Sequence, residues 1–171
     1  ACRTYNRCFR GNKPVRILIT SGGTSEKIDD VRAITNHSSG KLGKAIAESF
    51  AKDDVTIDMI TTRHAVKPEG KMIHHHLIDS TADLEKALKD LMKKNTYDAV
   101  IHSMAVSDFT PESSVTLEDL EAVIAAKTVD LPKALVEVAN ERTEKKISSD
   151  TDHLVVVLKK TPKIISLIKK L

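Results

Sequence analysis

Two short stretches carry the residue types needed to hold an anion. The first is Ser21-Gly22-Gly23-Thr24, directly after the apolar run at 15–20. A glycine pair there predicts a turn in which the main chain comes close to a ligand. The second is Asn36-His37-Ser38-Ser39-Gly40, which ends a polar loop. Apolar residues then return at helical spacing, at Leu42, Ala45, Ile46 and Phe50. Ser38 or Ser39 is placed to cap that helix, with its free backbone N–H groups facing the loop. Strand, glycine turn, Ser/Gly loop and helix N-terminus together make a site for an anion, usually a phosphate.

The elements that must position these stretches alternate along the chain. Runs at 15–20, 55–60, 72–78, 98–103 and 153–159 have the apolar, β-branched character of strands. Helical patterns follow at 41–50, 82–94, 117–126 and 131–140, and another opens at Thr161-Pro162, with proline in its first turn. Such alternation predicts an α/β, Rossmann-like, three-layer αβα fold with a mainly parallel central sheet. Ligands of these sheets bind beyond the carboxyl ends of the strands. The glycine pair belongs on that edge, and so does the loop Met104-Ala105-Val106-Ser107-Asp108-Phe109, which follows the strand at 98–103.

Composition narrows the partners. In 171 residues, hydrophobic types make up 40% and charged types 30%, ordinary values for a soluble globular domain. Aromatics are 3% with no Trp, and 27 basic against 24 acidic residues leave a net charge of +3. Neither feature suits a nucleic-acid partner. No apolar run reaches the length of a membrane span. Cys2 and Cys8 supply no disulfide framework, so a reducing, cytoplasmic home is expected. His74-His75-His76 falls in an expected strand, where neighbours point to opposite faces, and no metal site is expected there. Residues 1–14 are basic and acid-free, reading as an N-terminal extension or scar; residues 15–171 read as a single domain, apparently truncated because Leu171 falls inside a helical pattern.

Four segments in order resemble the phosphopantothenate–cysteine ligase family of coenzyme A biosynthesis, in its stand-alone form. They are I-L-I-T-S-G-G-T-S-E-K-I-D-D-V-R (17–32), I-T-N-H-S-S-G-K-L-G (34–43), M-A-V-S-D-F (104–109), and K-I-S-S with L-K-K-T-P-K-I-I (146–149 and 158–165). The resemblance implies a Rossmann-like ligase, usually a homodimer, that activates 4′-phosphopantothenate with CTP or ATP and magnesium. An acyl-nucleotide forms, pyrophosphate leaves, and the amine of cysteine then displaces the nucleotide. By the same resemblance, Asn36 and Lys146 match the catalytic residues of the second and first steps. Gly22, Gly23, Ser38, Ser39 and Gly40 match the phosphate-holding loops, and Ala105 and Asp108 match nucleotide contacts. The family pattern continues beyond Leu171 with a Gly-Phe-Lys segment of the base pocket.

Two other functions compete. Ser39-Gly40-Lys41-Leu42-Gly43 is a faint match to a dinucleotide loop of an NAD(P)-dependent oxidoreductase, but the spacing is not G-x-G-x-x-G and no Tyr-x-x-x-Lys pair is present. A non-catalytic subunit binding a phosphorylated ligand on the same fold is the second.

Overall fold

The computed structural model describes residues 14–51, 54–127, 129–141 and 151–170. Its centre is β1 (Val15–Gly23), nearly all buried and continuing through both glycines rather than turning at them. The strand persists because its neighbour β6 (Ala99–Ala105) also runs further than its apolar stretch: Gly22 pairs with Met104 and Gly23 with Ala105. On its other side β1 pairs with β4 (Val55–Thr61), and β4 pairs with β5 (Ile73–Leu77). The order is β5–β4–β1–β6, every pairing parallel.

Alternation along β1 divides its side chains between two cores. Ile17 and Ile19 pack with Ile57, Met59 and Ala47 under α1 (Lys41–Phe50). Leu18 packs on the opposite face with Ile60, Leu84, Leu88, Met104 and Ile164. That face is covered by α2 (Thr81–Lys94) and the short α5 (Ile164–Ile168). The layers are helix, sheet, helix, as the alternation of elements implies. Pro162 lies just outside α5 instead of in its first turn, because Lys163 is the N-cap.

Two small sheets stand apart from the parallel one, and of their four strands only the run at 153–159 was expected. Within 24–36, β2 (Ser25–Lys27) and β3 (Ala33–Thr35) form an antiparallel hairpin. The Asp29 carboxylate organises its turn, accepting the Val31 and Arg32 N–H groups at 2.8 and 2.7 Å. After β6, β7 (Phe109–Thr116) pairs antiparallel with β8 (Leu154–Lys160). Pro111 hides β7 in the sequence, and a register shift between Pro111 and Ser113 accommodates it. α3 (Leu117–Ala125) and α4 (Leu131–Asn140) pack on this ribbon around Val115, Val123 and Leu135. Among the described residues, no helix is long and apolar enough to cross a membrane.

One buried carboxylate ties the central sheet across its strands. Asp58 on β4 is 2% exposed and accepts Arg16 Nε from β1 at 2.8 Å. It also accepts His76 Nε2 from β5 at 2.9 Å and the Tyr97 hydroxyl, just before β6, at 2.8 Å. His76 therefore turns inward, while His75 Nε2 donates to the Pro68 carbonyl, so the histidine run does not converge. Burial by itself would raise the Asp58 pKa, but the bonds from Arg16, His76 and Tyr97 outweigh it and leave the pKa below the ordinary value. Burial, then the bond to Asp58, pushes Tyr97 up to about 12.

The signs of these shifts define a window. The lowered Asp58 pKa adds stability above the unfolded value near 4, lost as pH falls through the folded pKa. The raised Tyr97 pKa adds stability that is full below its unfolded value near 10 and lost as pH rises toward 12. Thermal midpoints should therefore be flat at neutral pH and fall at both extremes. Asp58→Asn should cost about 2–3 kcal/mol at pH 7 in urea unfolding, below the loss for a fully buried pair because Arg16 and His76 are partly exposed. A change under about 0.5 kcal/mol would show that the network contributes nothing net.

Candidate functional site

The carboxyl end of β1 brings most of the expected site residues together. At Gly23 a Cβ would overlap the carbonyl oxygen of Asn36 and lie 3.4 Å from the Ser38 nitrogen. Only glycine lets the Asn36 loop sit this close to the strand. Asn36 is held there by its own N–H, which donates to the Thr24 carbonyl at 3.0 Å. Gly22 abuts the next loop: a Cβ there would meet Thr62 Oγ1 at 2.8 Å and the Ala65 methyl at 3.0 Å.

The helix start differs from the expected cap. Gly40, not a serine, is the N-cap of α1, and its φ of 75° is the left-handed conformation that glycine adopts without strain. No side chain caps the helix there; Ser39 Oγ accepts only a long 3.4 Å bond from Lys41 N–H. Ser38 is half-buried and Ser39 exposed in the loop leading in. By contrast α2, α3 and α4 are capped by Ser80, Thr116 and Asp130. First-turn amides of α1, with no acid among its first residues, are therefore open to an anion.

The loop after β4 borders this cradle, a part the sequence reading did not single out. Ala65 is buried against Gly22 and Gly40, and the Val66 N–H donates to the Ser39 carbonyl at 3.0 Å. Lys67 Nζ donates to the Arg63 and Ala65 carbonyls at 2.9 and 3.0 Å, bracing the loop, while Arg63, His64 and Lys41 are exposed around it. The positive charge of Arg63 and Lys41 favours an anionic ligand.

Ala105 is the last residue of β6, paired with Gly23. Its carbonyl accepts the Thr24 N–H at 3.0 Å. Asp108 is exposed in the loop beyond, its carbonyl accepting Thr161 N–H at 3.0 Å. Gly22, Gly23, Asn36, Ser38, Ser39, Gly40 and Ala105 thus share one edge of the sheet, with Asp108 on the adjoining loop. Lys146 lies outside the described residues. Thr24 and Ser107 join the loops through a side-chain bond, yet their types alone mark no function. His102 is on the opposite face from Ser103, its Nδ1 2.6 Å from Thr20 Oγ1, with its pKa lowered by burial. A shallow groove of about 380 Å³ beside Leu77, Asp79 and Asp83 runs along α2, away from the glycine loops.

This arrangement can hold a phosphorylated group with backbone amides and present a neutral amide side chain beside it. Its chemistry is stabilisation of developing negative charge, which requires no protein nucleophile.

Residues 12–119 match the family described as the DNA/pantothenate metabolism flavoprotein C-terminal domain. The coenzyme A biosynthesis bifunctional protein CoaBC of Methanocaldococcus jannaschii is 39% identical over 122 residues, covering 71% of this chain and 29% of that protein. The chain therefore spans under a third of that relative. The DNA/pantothenate metabolism flavoprotein from Streptococcus pneumoniae superposes with a TM-score of 0.76 at 42% identity, over 91% of this chain and 64% of the other. The C-terminal domain of a CoaBC protein gives 0.60 at 26% identity, over 92% and 59% of the two chains. With the match covering most of its length, the chain belongs to the DNA/pantothenate metabolism flavoprotein C-terminal domain family.

Proposed function

We propose that the chain is a phosphopantothenate–cysteine ligase acting through an acyl-nucleotide. The observation that supports this best is the seating of the Asn36 loop on Gly23, beside the uncapped start of α1. The 4′-phosphopantothenate carboxylate attacks the α-phosphorus of CTP or ATP, forming a mixed anhydride and expelling pyrophosphate. The amine of cysteine then attacks the acyl carbon; the amide forms, the nucleoside monophosphate leaves with the bonding electrons, and the amine loses a proton.

Each chain group has a task in this scheme. Amides at Gly40 and the start of α1, with the Gly22–Gly23 edge, hold phosphate oxygens and offset charge as it grows. The Asn36 amide orients the acyl-nucleotide for the amine, and Lys146 supports the first step. Ala105 and Asp108 border the nucleotide. Among the described residues no group of three or more His, Cys, Asp or Glu could hold a cation. Magnesium would arrive on the nucleotide phosphates, and the Asp108 carboxylate would offer it a hard oxygen donor.

Pyrophosphate release from CTP or ATP, measured with 4′-phosphopantothenate and magnesium, tests the assignment. Release should require phosphopantothenate, and amide product should require cysteine as well. Release independent of phosphopantothenate, or none, would remove the ligase reading. Asn36→Asp should leave pyrophosphate formation within about threefold yet slow cysteine coupling at least about tenfold, because a charge replaces the neutral amide beside phosphate. Lys146→Gln should do the reverse. Gly23→Ala should depress both steps about a hundredfold, since the Asn36 loop must move off the strand. Wild-type rates in Gly23→Ala would disconnect that contact from function.

A further inference from the structure

We propose that Thr24 and Thr161 are positioning residues: their hydroxyls hold the main chain of Ser107 at its N–H and its carbonyl and fix the 105–108 loop against the Asn36 loop. This rests on the reading above, in which Ala105 and Asp108 border the nucleotide.

The Ser107 N–H donates to Thr24 Oγ1 at 2.9 Å. On its other side, the Ser107 carbonyl accepts Thr161 Oγ1 at 2.5 Å. Thr161 also donates its N–H to the Asp108 carbonyl at 3.0 Å, so one residue at the end of β8 holds two successive peptides. Thr24 is fully buried, and its main chain bonds both flanking loops: N–H to Ala105 and carbonyl from Asn36, each at 3.0 Å.

Thr24 is thus bonded to both loops at once. Its hydroxyl also accepts Thr81 Oγ1 at 3.3 Å, and the Thr81 N–H donates to the buried Glu26 carboxylate at 2.8 Å. The junction is thereby anchored on the start of α2, which packs on the sheet through Leu84 and Leu88. A hydroxyl needed only for its volume would be replaceable by a methyl group. Here the methyl of valine would leave the buried Ser107 N–H without an acceptor. Thr161 sits at a partly exposed position, where the loss of Oγ1 removes one bond and little packing.

The full chain carrying Thr24→Val, Thr24→Ser, Thr161→Val or Thr161→Ser provides the test. Each valine variant should raise the half-saturating nucleotide concentration about tenfold, the scale of one lost buried hydrogen bond, and leave that for phosphopantothenate within about twofold. Each serine variant should restore nucleotide saturation to within about threefold of wild type, because the hydroxyl returns. Amide exchange of Ser107 reads the same coupling without catalysis, and Thr24→Val should accelerate it about tenfold relative to Ile19 in β1. Thr161→Val keeps the test open if Thr24→Val fails to fold. Unchanged nucleotide saturation in the folded valine variants, no rescue by serine, or unchanged Ser107 exchange would each overturn the role. Faster exchange in Thr24→Val with no pyrophosphate from the unaltered chain would instead remove the ligase reading and leave the loop coupling standing.

Discussion

The site depends on a steric constraint: the main chain of Asn36 rests where a side chain at Gly23 would otherwise be. That contact requires β1 to be straight and paired to its last residue, which in turn requires β6 to run alongside as far as Ala105. A chain that turned at Gly22 would carry the Asn36 loop away from the sheet. The pairing of Gly23 with Ala105 therefore does two things. It ends the core, and it sets the distance between the loop that follows β3 and the loop that follows β6.

The buried charge network and the candidate site are placed at opposite ends of the same strand. Arg16, bonded to the Asp58 carboxylate and through its N–H to Asp98, lies near the amino end of β1. Gly23 lies seven residues on, about 23 Å away at the rise of a strand. Charge–charge bonds near the amino end fix the strands laterally. The carboxyl end is lined by glycines, hydroxyls and backbone amides, which allow a close approach, with the cations Arg63 and Lys41 exposed around them. Few substitutions at one end need be felt at the other.

Legibility in the sequence followed side-chain chemistry. Residues such as Ile17, Leu18, Ile19 and Ile57, Met59, Ile60 announce buried strands by type, and the central sheet was readable from them. The ribbon of β7 and β8 was only half readable, since Pro111, Glu112 and Ser113 carry no strand signal and β7 is defined by its partner. The hairpin at 25–35 is too short and polar to stand out. Within the site, glycines and the serine loop were visible by type, but the cap was assigned to Ser38 or Ser39 and belongs to Gly40, because left-handed geometry at one residue leaves no trace in composition. Thr24 was visible as part of the Ser21-Gly22-Gly23-Thr24 stretch, but its linking role was not, for a related reason. Its importance lies in which three loops meet at it, and tertiary contacts of that kind have no local pattern.

Three of the longer helices carry their own caps, and α1 does not. Its first amides are then left to solvent, or to the anion that the proposed function would place there. With an anion seated there, the conformational stability of the chain would be a function of the surrounding medium rather than a fixed number. A bound phosphate or sulfate would contribute according to its concentration relative to its dissociation constant, so melting curves recorded in phosphate and in chloride would describe different thermodynamic systems.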